Sequence, residues 1–149
     1  MYTLEEFDKE KTRVLKYIMF KKRSEYEVRN KFSKTIEESL LEDIIEYLKE
    51  AGYINDRDYI ERLINEFISL KNLSLKEVKY KLMSKGINTN LIEDYMYSHS
   101  DELEEYEQNS ATHIAIKKST SMEEDEIKNF LYKKGYRLES IKNAIDEIK

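Results

Sequence analysis

The sequence predicts an all-α fold in which three tandem three-helix repeats form an elongated, curved helical array. The 149 residues include no proline and only three glycines, so few residues are present to end helices or build hairpins. The segment 24–32 also recurs at 74–82, with serine, glutamate, valine, two bases and a large apolar residue at the same offsets. A period of about 50 residues is typical of a repeat array rather than of one closed core.

The first unit is predicted at residues 9–56. Its apolar residues recur at three- and four-residue spacing in three successive segments, which favours three amphipathic helices. The predicted core positions are Val14, Leu15, Ile18 and Met19, then Val28 and Phe32, then Leu40, Leu41, Ile44, Ile45 and Leu48.

The second and third units, predicted at residues 57–99 and 100–149, follow the same plan. Residues 82–87 of the second unit return as residues 131–136 of the third, each with the pattern Leu-x-x-Lys-Gly followed by a large apolar residue. The third unit begins with a more polar helix. The predicted core positions of these two units are Tyr59, Ile60, Leu63, Ile64, Phe67, Ile68, Val78, Leu82, Leu91, Ile92, Tyr95, Met96, Leu103, Tyr106, Ala111, Ile114, Ile127, Leu131, Ile141, Ile145 and Ile148.

Hydroxyl residues three positions before a glutamate predict where helices begin. In this capping box each side chain accepts a hydrogen bond from the other residue's backbone N–H. The candidate boxes are Ser24 with Glu27, Thr35 with Glu38, and Ser74 with Glu77. Ser121 and Glu124 also fit, but two residues early in the repeat register. Either the middle helix of the third unit is longer at its start, or Glu123, aligned with Ser74, has lost the box.

The three glycines, Gly52, Gly86 and Gly135, each precede a large apolar residue at an expected helix end. This pattern predicts a left-handed glycine followed by a contact back onto the last helical turn. Replacement of Gly86 or Gly135 by alanine is expected to destabilise the protein by about 1 kcal/mol.

Composition limits the kinds of chemical site that the chain can form and the compartment in which we expect it. The absence of cysteine excludes disulfides and thiolate sites. No apolar run is long enough to cross a bilayer, and the first residues lack the pattern of a secretory signal. We therefore expect a cytoplasmic monomer without a membrane contact.

No catalytic residue, metal ligand or cofactor is predicted. His99 and His113 are fourteen residues apart and have no neighbouring histidine or cysteine. No phosphate-binding glycine loop or nucleophile–histidine arrangement is present. The acids at 123–126 are explained by the favourable interaction of negative charge with the first turn of a helix.

Charge is segregated along a chain whose net charge is −5. Residues 9–34 hold ten bases and three acids, whereas residues 35–66 hold ten acids and three bases. Residues 98–110 carry five acids and no base, which is typical of a solvated helix face. Such separation produces a surface that can steer a charged partner.

The bases inside the repeated segments are the candidate binding residues. Stacked repeats place equivalent residues in a row, so we expect these bases to form one basic ridge. We also expect a dense basic patch before the first capping box, and Arg29 to lie beside Lys31 of the ridge. The ridge residues are Lys31, Lys34, Lys81, Lys85, Lys133 and Lys134, and the patch is Lys21, Lys22 and Arg23.

In order and spacing, these features resemble the RecX family of recombinase regulators over residues 12–148. The matching segments are residues 23–28, 52–56, 82–87 and 130–136, followed by Ile141 and Ile145. The resemblance implies a crescent of three three-helix repeats that lies in the groove of a RecA filament on single-stranded DNA and restrains ATP hydrolysis and strand exchange. The contacts it implies are Arg23, Arg29, Lys31, Lys81, Lys85, Lys133, Lys134 and Arg137.

A helical regulator that acts directly on nucleic acid is the alternative, because three-helix units resemble helix-turn-helix modules. Sequence-independent affinity for DNA comes mainly from counterion release at phosphates, which a net charge of −5 disfavours. Binding to free DNA without the recombinase distinguishes the two hypotheses.

Overall fold

The computed structural model describes residues 1–149 and contains nine helices and no strand, which confirms the all-α prediction. In chain order the helices are α1 (Leu4–Phe20), α2 (Glu25–Phe32), α3 (Glu38–Glu50), α4 (Asp56–Ser69), α5 (Leu75–Ser84), α6 (Thr89–Ser98), α7 (Ser100–Lys118), α8 (Glu124–Lys134) and α9 (Leu138–Ile148). None of them is both long and apolar enough to span a bilayer. α1 begins before residue 9 and α4 begins at Asp56, so the exact unit boundaries stay a prediction.

Three separate apolar clusters lie along the chain instead of one large core. The first contains Ile44 and Leu48, the second Ile60 and Leu82, and the third contains Leu131. Leu103 of α7 packs into the second cluster and so ties α7 to the preceding helices. The accessible surface is 9742 Å², whereas a compact monomer of this mass exposes roughly 8,000 Å². The excess surface is that of an elongated array.

Two of the predicted capping boxes are confirmed. Ser24 Oγ accepts from the backbone N–H of Glu27 at 3.0 Å, and the Glu27 carboxylate accepts from the N–H of Ser24 at 3.0 Å. Ser74 and Glu77 repeat both bonds at 3.1 and 2.9 Å. The local sequence therefore fixes the first residues of α2 and α5.

The predicted box at Thr35 is wrong. The backbone N–H groups of Thr35 and Ile36 both bond to the carbonyl of Phe32, which continues the turn at the end of α2. α3 begins later, where the Glu37 carboxylate accepts from the N–H groups of Ser39 and Leu40 at 3.2 and 3.1 Å. The buried Ile36 accounts for the shift, because its side chain must reach the first core before α3 begins.

Neither expectation for the third middle helix describes its start. α8 begins at Glu124 with Glu123 as its N-cap, so it is not longer at this end. The Glu126 carboxylate accepts from the N–H of Glu123 at 3.0 Å, in the same way as Glu77 does for Ser74. An acid thus replaces the serine, and Ser121 does not cap the helix.

Ser24 and Ser74 also join neighbouring units. Ser24 Oγ donates to the carbonyl of Lys85 at 2.6 Å, and Ser74 Oγ donates to the carbonyl of Lys134 at 2.7 Å. A hydroxyl can accept and donate at once, so each serine caps its own helix and bonds to the end of the next middle helix. α2, α5 and α8 therefore run head to tail, with each positive helix N-terminus against a negative C-terminus. We call the two contacts the first and second joints.

All three glycines adopt positive φ, which confirms the predicted helix endings. Two of them also lie in the joints. A methyl group on Gly86 would overlap the side chain of Tyr26 in α2, and one on Gly135 would lie 3.0 Å from side-chain atoms of Lys76 in α5. A methyl group on Gly52 would meet nothing within 4 Å. Gly86 and Gly135 are thus needed both for the turn and for the close approach of two units.

Replacing Ser24 with alanine is expected to lower the free energy of unfolding by about 2 kcal/mol, because the cap and the joint lose one hydrogen bond each. Urea denaturation measures the change. The exposed Ser33 of the same unit forms no side-chain hydrogen bond and provides the control variant Ser33→Ala. Equal stability of Ser24→Ala and Ser33→Ala would contradict the role of the Ser24 hydroxyl.

Candidate partner-binding face

A groove of about 670 Å³ lies beside the first joint, and we call it the first cleft. It is lined by residues 18–22 at the end of α1, by residues 52–53, by one face of α4 and by Lys85. Its cationic residues are Lys21, Lys22, Arg62 and Lys85, and Glu66 is its only carboxylate. The structure therefore brings three predicted binding residues together and adds Arg62 to them.

Exposed apolar side chains share the first cleft with these cations. Phe20 is 87% exposed, Met19 is 68% exposed and Tyr53 is 43% exposed. The prediction of Met19 as a core residue is wrong. Val14 and Ile18 of α1 are buried, and a helix turns about 100° per residue, so Met19 lies outside the stripe that they form.

Lys31 and Lys81 occupy equivalent places in the first two units. Lys31 Nζ lies 5.8 Å from the centre of the Tyr17 ring, and Lys81 Nζ lies 5.9 Å from the centre of the Phe67 ring. Phe67 lines the first cleft, which places Lys81 at its rim. The guanidinium of Arg23 lies 4.2 Å from the Tyr17 ring centre, and its Nε is buried without a hydrogen-bond partner.

A smaller groove of about 310 Å³, the second cleft, lies beside the second joint. It is lined by Leu70 and Asn72–Leu73, by 113–114 and 117–118 of α7, and by Phe130 and Lys134. Lys134, the counterpart of Lys85, forms an ion pair with Glu77 at 3.2 Å. Lys85 forms no such pair, so it is the cation of the two that is available to a partner.

Two other predicted binding residues are held by acids of their own chain. Arg29 bonds to Glu25 at 3.0 Å and to both oxygens of Glu42 at 2.7 and 3.1 Å. The hydrogen bond with Arg29 lowers the pKa of the Glu42 carboxyl below its usual range.

Arg137 pairs with Glu107 at 2.9 Å and with Glu104 at 3.3 Å. Lys34 and Lys133 are exposed near the ends of α2 and α8. Binding by any of these residues stays a prediction.

The most buried carboxylate belongs to Glu107 of α7, at the second joint. One oxygen accepts from the N–H of Leu75 at 2.9 Å, and the other accepts from the N–H and Nε of Arg137 and from Ser140 Oγ at 2.9–3.1 Å. Glu107 is 0% exposed, so its assignment to a solvated acidic face is wrong. At the first joint, the Asp56 carboxylate likewise holds the start of a middle helix, because it accepts a hydrogen bond from the N–H of Glu25 at 3.0 Å. Burial raises the pKa of Asp56.

Comparison with known proteins assigns a family to this arrangement. No family model matches the chain. The regulatory protein RecX of Staphylococcus carnosus is 31% identical over 138 residues, which cover 90% of this chain and 52% of that protein. The regulatory protein RecX of Clostridium acetobutylicum is 30% identical over 148 residues, which cover 93% of this chain and 68% of the relative. This chain belongs to the RecX family.

Solved RecX structures agree with the fold. The crystal structure of RecX from Lactobacillus salivarius superposes with a TM-score of 0.81 at 26% identity, over 98% of both chains. A second RecX structure superposes with a TM-score of 0.76 at 21% identity. The three-helix units thus have the arrangement of RecX structures. The chain spans 52% and 61% of the length of the Staphylococcus carnosus and Clostridium botulinum relatives.

Sequence reasoning missed Arg62, Phe20 and Glu107 in this RecX-family chain. Arg62 lies within the acidic block and has threonine at the equivalent position of the first unit and histidine at that of the third, so no repeated lysine or arginine points to it. Glu107 stands among acids that are exposed, and nothing local distinguishes it from Glu104 or Glu105. The apolar pair Met19-Phe20 directly before three bases was the available signal for the first cleft.

Proposed function

We propose that the chain binds the filament that a RecA-type recombinase forms on single-stranded DNA and inhibits its ATP hydrolysis and strand exchange. Membership of the RecX family supports this proposal, because the relatives are named regulatory proteins. In this proposal the protein acts by occupying the filament groove rather than by catalysing a reaction.

The observation that carries the proposal is the uncompensated charge of the first cleft. Four cations and one carboxylate line it, although the whole chain has a net charge of −5. A cleft of one charge sign concentrates the field and raises the rate at which partners of opposite charge associate. Acidic residues of the recombinase, and DNA phosphates inside the filament, are partners of that kind.

The elongated shape gives the second line of support. A stacked array presents an extended surface on which equivalent positions of successive units face the same way. Both clefts lie beside a joint and are lined by the end of one unit's first helix and by the first helix of the next. Such a surface suits a long helical groove better than it suits a small ligand.

The double variant Lys81→Glu with Lys85→Glu is expected to weaken inhibition of DNA-dependent ATP hydrolysis by about tenfold, because it reverses charge at the rim and wall of the first cleft. Lys81 is exposed and neither lysine forms an ion pair, so the fold is expected to remain intact. Titration of the variant into a recombinase ATPase assay on single-stranded DNA measures the effect.

The matched control is Lys9→Glu with Lys142→Glu, which changes the net charge equally at exposed positions outside both clefts. Inhibition at the wild-type level by a folded Lys81/Lys85 variant would remove the first cleft from the binding face. Co-sedimentation with the recombinase on single-stranded DNA tests filament binding itself. Tight, steeply salt-dependent binding to DNA alone would instead support direct action on nucleic acid.

A further inference from the structure

The first cleft combines free cations with exposed apolar side chains, and we propose that it binds an acidic protein segment that carries a large apolar side chain. This inference rests on the proposed function, since it names the chemistry of the partner segment that the cleft accepts. Apolar area and complementary charge are the two components that such a segment would satisfy together.

The cations of the first cleft have few ion-pair partners within the chain. Glu27, the counterpart of Glu77, accepts from the N–H of Ser24 at 3.0 Å and lies against Tyr59. It forms no ion pair with Lys85, whereas Glu77, which accepts the same capping bond from Ser74, pairs with Lys134 at 3.2 Å in the second cleft. Lys22 has only a long contact of 3.8 Å with Asp58. An acidic ligand would supply the missing negative charge.

The apolar part of the first cleft is unusually open to solvent. Phe20 and Met19 at the end of α1 are 87% and 68% exposed, and the exposed Tyr53 also lines the first cleft. Contiguous exposed apolar side chains rimmed by charge mark sites of protein interaction. A phenylalanine or leucine of the partner would cover these three side chains and lose its own contact with water.

The charge distribution favours a peptide over single-stranded nucleic acid. Nucleic acid without sequence preference follows a continuous positive groove with aromatic platforms. Here the positive surface is interrupted, because the acids Glu37, Glu38, Glu42 and Asp43 gather on the first unit. In the second cleft Lys134 is paired with Glu77, although Lys117 and Lys118 are not paired. The first cleft is one local groove of about 670 Å³, within the range of pockets that hold a drug-sized ligand, and is not a continuous track along the array.

The probe is a fluorescein-labelled peptide, Asp-Glu-Asp-Phe-Glu-Asp, titrated with the whole chain and followed by fluorescence anisotropy. We expect saturable binding with a dissociation constant below about 100 µM. The amide peptide Asn-Gln-Asn-Phe-Gln-Asn and the peptide with alanine in place of phenylalanine are each expected to bind at least about tenfold more weakly. No saturation, equal binding of either control peptide, or tighter binding of a twelve-residue oligothymidine would overturn the proposal.

Paired variants locate the site. Phe20→Ser with Arg62→Glu, both exposed in the first cleft, is expected to weaken peptide binding about tenfold. Leu70→Ser with Lys117→Glu makes the same chemical change in the second cleft, where Leu70 occupies the position of Phe20. This control pair is expected to bind the peptide as the wild type does, and an equal loss in both pairs would place the peptide elsewhere.

The peptide and filament assays together separate this inference from the proposed function. If the protein binds the peptide but does not inhibit the filament, the proposed site is supported and the proposed function is refuted. Filament inhibition by a wild-type chain that does not bind the peptide would remove the site and retain the function. Circular dichroism of each variant shows that the helical array is intact.

Discussion

Replacement of Glu107 by glutamine is expected to lower the free energy of unfolding by about 4 kcal/mol, which is the scale for removing one member of a buried, hydrogen-bonded charge cluster. The Glu107 carboxylate accepts four hydrogen bonds from Leu75, Arg137 and Ser140 while fully buried. An amide of the same shape keeps one oxygen and turns the other acceptor into an N–H donor. That donor would face another donor, either the N–H of Leu75 or the groups of Arg137 and Ser140.

The loss concerns two units at once, because Glu107 of α7 holds the start of α5 on one side and the start of α9 on the other. Urea unfolding followed by circular dichroism measures it. Glu104→Gln is the control, since Glu104 contacts the same Arg137 at 3.3 Å but is 53% exposed at its side chain. An exposed pair contributes at most about 1 kcal/mol. Equal stability of the two variants would show that the buried cluster contributes nothing to holding the units together.

The second large effect is expected for Gly86→Ala, which should lower the free energy of unfolding by about 3 kcal/mol, more than the roughly 1 kcal/mol predicted from the glycine turn alone. About 1 kcal/mol comes from placing a β-carbon on a residue at positive φ, and about 2 kcal/mol comes from overpacking against a neighbouring unit. The added methyl group would overlap the Cβ, Cγ and Cδ2 atoms of Tyr26. These atoms lie near the backbone and cannot move aside by a simple rotation of the side-chain end.

Two further variants separate these contributions. Gly52→Ala has the same positive φ and open space around it, so we expect a loss of about 1 kcal/mol. Adding Tyr26→Ala to Gly86→Ala removes the overlap with Cγ and Cδ2 but keeps that with Cβ, so it is expected to restore only part of the larger loss. Thermal and urea unfolding of the four proteins measures both steps. Equal destabilisation by Gly52→Ala and Gly86→Ala would mean that the first joint tolerates extra volume.

The repeat period and the local capping chemistry were enough to predict the helices, their order and the starts of α2 and α5. These features depend on residues within one or two turns of each other, such as Ser24 with Glu27, and local bonds of this kind form wherever the helix forms. The glycine endings were predictable for the same reason. Thr35 shows the limit, because the burial of Ile36 overrode a matching cap pattern.

The joints could not be predicted in the same way. The second bond of Ser24 reaches Lys85, sixty-one residues away, and depends on how one unit is rotated against the next. The same rotation buries Glu107, leaves Glu104 exposed, and brings Arg62 beside Lys85 in the first cleft. The sequence therefore identified candidate bases for the binding face. Only the structure showed which of these bases lie together and which are paired with acids of the same chain.

Each joint is divided between two units, and this division sets a rule for lengthening the array. One unit supplies the serine at the start of its middle helix, and the next supplies the Lys-Gly ending that receives it. The first unit has the serine, but Lys34-Thr35 follow its middle helix in place of Lys-Gly, and the third has the glycine but has Glu123 as the N-cap of its middle helix. The middle unit has both Ser74 and Gly86, so a copy of it placed beside itself would find a matching partner on each side. It is the natural building block for constructing longer arrays with the same pitch.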